Sequence, residues 1–200
     1  MAKNHRTDHR SIARVAIFSA SSIGSAGLFV LGMIRNGNGA VQKYEALLAA
    51  DAAGGDVDAA LTDLRGYIYA HMNTEIGGPN GIYPPIQLSG TFSRLTAAEE
   101  QRVKEANDNL YAEAQSYCEA TGNQGFSGRN RLDCINEYID KNGAKPREIE
   151  DAFYKYDFVA PMWSPDLAGF SFIGLIIFGL MTFFSLIGFL RTRHFVCAAN

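Results

Sequence analysis

The chain is poor in the residues that advertise chemistry. It holds three cysteines, four histidines and one tryptophan in 200 residues. No two cysteines form a CxxC pair, which argues against a dithiol oxidoreductase. A phosphate-binding glycine loop, a nucleophile elbow and a paired-carboxylate motif are all missing. Asp51, Asp56, Asp58 and Asp63 crowd together but lack the alternating spacing, central glycine and terminal glutamate of a calcium loop. Helix-terminus charge balance accounts for Asp56 and Asp58, and for Glu99 and Glu100. There is no Lys/Arg block, Ser/Pro tract or internal repeat. Nor is there any charge from Leu167 to Leu190 or from Val15 to Ile34. An ion or proton path through such segments has no charged lining, and Ser19, Ser21, Ser22 and Ser25 would line a pore only in an oligomer.

Those two uncharged stretches organise the rest. Leu167–Leu190 (LAGFSFIGLIIFGLMTFFSLIGFL) is dominated by Leu, Ile and Phe and is bounded by Asp166 and Arg191. At about 1.5 Å per residue a helix of that length crosses a hydrocarbon core of about 30 Å. Val15–Ile34 is also of spanning length, though richer in Ser, Ala and Gly. Lys3, Arg6, Arg10 and Arg14 precede it. A cleaved secretory signal also begins with basic residues, but here the apolar run exceeds a signal core and Ala40 is a poor cleavage site. The reading is therefore an uncleaved anchor. Basic residues before the first span, and Arg191 and Arg193 after the second, put both termini in the cytoplasm and residues 36–166 outside a cell membrane. Trp163, Tyr154, Tyr156 and Phe158 suit the outer headgroup belt. The small residues Ala16, Ala20, Gly24, Ser21 and Ser25 offer a close-packing face. Gly169, Gly174, Gly179 and Gly188 offer matching grooves, within one chain or between two.

The whole chain carries a formal charge of −3. Residues 36–166 hold 11 Lys plus Arg against 20 Asp plus Glu. So acidic a domain disfavours nucleic acid or anionic lipid as its main partner. It is expected to be helical. Asn36–Gly39 breaks the first span, and a helix follows over Ala40–Ala53. Gly54-Gly55 ends it, and Asp56 caps a second helix running to about Glu75 on a core face of Val57, Leu61, Leu64, Ile68 and His71. Ile76–Leu95 is an ordered loop. A capping box of Thr96 and Glu99 opens a long helix to Thr121, with Val103, Ala106, Leu110, Ala114 and Tyr117 inward. After a Gly122–Arg129 turn comes a short helix bearing Leu132, Ile135 and Ile139, closed by Asn142-Gly143. Pro146 starts a last helix. The expected fold is all-α, with two transmembrane helices flanking an extracytoplasmic bundle of four to five helices.

Few residues invite a chemical role. Cys118 and Cys134 flank the Gly122–Arg129 turn and are expected to pair in an oxidising compartment. Cys197, in the tail after the last span, formally fits a lipidation template with an unusual final residue, and is expected to stay a reduced thiol. His71 and Glu75 lie one helical turn apart, a spacing that metal sites use. With no second histidine in the middle, the expectation is a satisfied histidine and no metal or other cofactor. His71, Tyr83 and Tyr117 are the candidate ligand-binding residues.

The layout of tail, span, helical outer domain and span is similar to the input half of bacterial membrane receptors with four-helix extracytoplasmic sensor domains. It departs from them in stopping about ten residues after Leu190, with no output domain. The expected function is non-enzymatic: a two-span envelope protein that presents its acidic domain to a protein partner, or to another copy through the membrane helices. A ligand sensor acting through a separate membrane partner is the alternative. An enzyme built on His71 and nearby acids is a third.

Overall fold

The computed structural model describes residues 2–77, 82–121 and 129–198, with side chains from 11 to 77, 82 to 121 and 131 to 191. It is mostly helical, and two helices are long and apolar enough to cross a membrane. In order, they are α1 (Ala2–Ala53), α2 (Val57–Ala70), strand β1 (Ile86–Gln87), α3 (Ser89–Asn107), α4 (Leu110–Ala120), α5 (Arg129–Asn142), strand β2 (Lys155–Tyr156) and α6 (Leu167–Ala198). They form two compact units: Met1–Ala50, Asp56–Pro85 and Asp157–Asn200 make the first, Asp51–Gly55 and Ile86–Tyr156 the second.

In the first unit α1 and α6 run antiparallel. A Cβ added at Gly32 would sit 2.6 Å from the Ala168 amide nitrogen, and one at Gly174 would sit 3.2 Å from Ser25 Oγ. Phe29 and Phe172 place their rings 5.5 Å apart. As the residue number falls along α1 from 32 to 29 to 25, that of its neighbour rises along α6 from 168 to 172 to 174, as antiparallel helices require. Among the glycines expected to form grooves, Gly174 therefore meets α1 within the same chain. Gly188 and Gly24 have nothing within 4 Å of an added Cβ. The remaining surface of α6 is greasy: Phe170, Phe183 and Phe184 are 61%, 58% and 66% exposed.

The expected break at Asn36–Gly39 does not occur; α1 runs straight through it. The physical reason lies in what packs there. Asn36 is buried, and its Nδ2 donates to the Met72 carbonyl (3.2 Å) and to Asp166 Oδ2 (2.6 Å). Gly39 leaves room for the Tyr67 phenol, which any Cβ would strike. The polar and small residues that weaken an isolated helix are thus the ones that let neighbours approach it. Farther along, Lys43 pairs with Asp63 across α1 and α2 at 2.6 Å, while Leu47, Leu64 and Ile68 are buried. Helix α2 begins where expected, with Asp56 Oδ1 accepting from the Ala59 amide at 2.9 Å. It ends at Ala70 rather than near Glu75, because His71 is extended.

The second unit departs further from expectation. No capping box operates at Thr96. Its hydroxyl is buried without a hydrogen-bond partner, and α3 starts at Ser89. The cap comes from elsewhere: Asp51, 2% exposed, accepts from the Gly90 and Thr91 amides at 2.7 Å each and from the Thr91 hydroxyl at 2.6 Å. A carboxylate there satisfies the free amides and the dipole of α3 together. The long helix is also split between Asn107 and Leu110, as a run of Asn, Asp and Asn favours. Asn107 then clamps the irregular segment after α5, donating to the Ala144 carbonyl (3.0 Å) and accepting from its amide (2.8 Å). Glu99 Oε1 accepts from the Arg147 amide at 2.8 Å. Pro146 therefore sits outside regular secondary structure, not at a helix start, and a single 3-10 turn (Asp151–Phe153) follows. Strands β1 and β2 pair antiparallel, Ile86 opposite Tyr156. Tyr154 and Tyr156, expected in a headgroup belt, belong to this unit, where Tyr154 packs on Phe92 at 4.7 Å.

Helices α4 and α5 pack as a hairpin around Ala114, Cys118 and Ile135. The Cys118 and Cys134 sulfurs lie 2.07 Å apart, the distance of a disulfide. Most of the Gly122–Arg129 turn lies outside the described residues, as do residues 78–81 of the expected loop.

Candidate functional site

Glu75 and Asp157 line one cleft of about 280 Å³ in the first unit, together with Ile76, Tyr83, Pro85, Phe158 and Val159. Tyr83 is 78% exposed and hydrogen-bonds Asp157. That bond, and then the charge of Asp157, hold the phenol above its ordinary value. Two carboxylates and a phenol against apolar walls form a recess suited to a small cation with an apolar body.

Of the three candidate ligand-binding residues, His71 and Tyr83 belong to the first unit and Tyr117 to the second. His71 is half-buried. Its ring stacks on Tyr67 with centroids 4.2 Å apart, and its Nδ1 lies 2.9 Å from the Tyr67 carbonyl oxygen. It does not line the Tyr83 cleft. Tyr117 belongs to the second unit, 52% exposed, with its ring 5.0 Å from that of Tyr138. Among the described residues, no group of three or more His, Cys, Asp or Glu is placed to hold a metal ion.

A polar knot that the sequence did not announce lies where α1 and α6 leave their apolar stretches. Asp166 caps α6, its Oδ1 accepting from the Gly169 amide at 2.9 Å. Burial raises the Asp166 pKa. The Gly169 amide, Asn36, Ser164 and the charge of nearby His71 outweigh burial and leave it below the usual value. Ser164 is fully buried and accepts from the Met72 amide at 3.0 Å. Thr74, also fully buried, donates to the His71 carbonyl at 2.8 Å. Asn73 takes the left-handed conformation (φ 59°), and its Nδ2 donates to the Met33 carbonyl at 3.1 Å. Every one of these groups is short and polar, so helix periodicity is blind to them.

A second, larger groove of about 560 Å³ lies between α1 and α2, bordered by Ile34, Arg35, Asn38, Gln42, Lys43 and Tyr67. No family model matches the chain, and no curated protein or solved structure matches it.

Proposed function

We propose that the protein is a non-enzymatic, two-span membrane protein that displays residues 36–166 outside the cell membrane as an acidic helical bundle for binding another protein. The supporting observation is the α4–α5 hairpin. It is cross-linked between the end of α4 and the first half of α5 and exposes Tyr111, Tyr117 and Leu132 at 55%, 52% and 59%. Tyrosine-rich surface on a rigid element is favourable interface material, because little side-chain freedom is lost on contact. A second copy is one such partner. The α1 flank at Gly24 and Gly27, with nothing within 4 Å of an added Cβ, leaves small residues open to another membrane helix.

The test is site-specific photocross-linking in intact cells. A benzophenone side chain at Tyr117 should trap a discrete partner, one at Glu105 should not, and Tyr117→Ser should abolish binding. Failure to trap anything at Tyr117, combined with migration as a lone monomer in mild detergent, would overturn the proposal.

The Tyr83 cleft favours a second reading, a sensor of small cationic ligands that works through a separate membrane protein. A thermal-shift screen with organic amines should then show stabilisation that Asp157→Asn removes.

A further inference from the structure

We propose that the groove between α1 and α2 binds the phosphodiester headgroup of an anionic phospholipid. Its residues change character along α1 in the way a lipid does. Ile34 ends the uncharged stretch. Arg35 follows directly, and Asn38 and Gln42 continue on the same helix face at spacings of three and four. Across the groove stands Tyr67, with Lys43 held 5.4 Å from its ring centroid.

The groove is rich in donors inside an acidic region. Arg35, Asn38 and Gln42 have no hydrogen-bond or ion-pair partner among the described residues. Lys43 spends one bond on Asp63. Residues 36–166, which begin just after Arg35, carry 20 acidic against 11 basic groups, so an island of unpaired donors is a departure from its surroundings. A guanidinium matches two phosphate oxygens with parallel N–H bonds, and the amides and the phenol reach the remaining oxygens or the glycerol. Free phosphate offers the same oxygens. Ile34 favours the lipid, because it leads the groove onto the apolar flank of α1, where acyl chains would lie. Gly39 keeps the groove open by leaving the Tyr67 phenol in place of a side chain. The site presupposes that Val15–Ile34 spans a bilayer and is independent of any protein partner.

The experiment uses the full chain in neutral detergent, titrated with dimyristoyl-phosphatidylglycerol and followed by native mass spectrometry. Arg35→Gln should weaken lipid retention about tenfold, the loss expected for a charge-assisted pair. Gln42→Glu, an exposed change that adds a negative charge to the groove without altering packing, should weaken it similarly. Arg65→Gln, on an exposed position outside the groove, should leave it unchanged. Undiminished retention in both Arg35→Gln and Gln42→Glu would overturn the site. Equal loss in Arg65→Gln would reduce it to general electrostatics and overturn it too. Displacement of the lipid by inorganic phosphate at matched concentration would show a free-anion site and overturn the lipid assignment.

Discussion

At the scale of single residues, Asp51 carries the most structure for its size. It lies in the last turn of α1, where the helix dipole disfavours an acid. That misfit was the one signal in the sequence that it serves another helix. Burial alone raises its pKa; the Thr91 hydroxyl, the Gly90 and Thr91 amides and Arg94 outweigh burial and hold it below the usual carboxylate value. A carboxyl depressed in the folded state adds stability above its unfolded value, and that stability is lost as pH falls through the folded value. The acid limb of a stability–pH curve should therefore be steeper through the carboxylate range in the native chain than in Asp51→Asn. Removing the acceptors in Asp51→Ala should cost about 2–3 kcal/mol in urea unfolding at neutral pH. Glu99 belongs to the same limb: the Arg102 hydrogen bond and the Arg147 amide lower its pKa to about 2. An unchanged acid limb in Asp51→Asn would show that the cap contributes nothing.

At the scale of elements, the pairing of α1 with α6 makes sharp predictions. A Cβ at Gly174 would stand 3.8 Å from Ser25 Cβ, which is disulfide geometry. A Ser25→Cys, Gly174→Cys double variant should cross-link readily under mild oxidation, seen as a shift in non-reducing electrophoresis. Gly32→Val should impair that cross-link, since the added carbons meet the Ala168 backbone, whereas Gly24→Val should not. The α4–α5 hairpin yields another prediction. Replacing Cys118 and Cys134 together by Ser should lower stability by about 3 kcal/mol, the chain-entropy value for a loop of this size. The long apolar runs, the Asp56 cap and the Cys118–Cys134 pairing were legible because each is a local pattern or a constraint of spacing. The capping box at Thr96, the helix after Pro146 and the break at Asn36–Gly39 misled for one common reason. Each local preference was overridden by a group distant in sequence: Asp51 for α3, Asn107 and Glu99 for residues 144–147, Tyr67 and Asp166 for α1.

At the scale of the whole molecule, the greasy surfaces of α1 and α6 should keep the protein in vesicles through an alkaline carbonate wash. Appearance in the supernatant would remove the membrane reading. Impermeant amine reagents should modify Lys104 from outside intact cells and spare Lys3. The reverse result would invert the topology. Of the candidate ligand residues, the sequence could locate Tyr83 in a loop but had no means to foresee Asp157 beside it, since that pairing depends on tertiary closure.

The knot at Asn36 has a mechanical side. With Asn36 bonded to Asp166 and Gly32 seated on Ala168, neither helix can slide along the other without stripping a buried amide and driving two backbones together. Piston-like sliding of α1 along α6 is thereby opposed. The described contacts leave tilting or rotation of the pair as a single lever as the movement that keeps them intact.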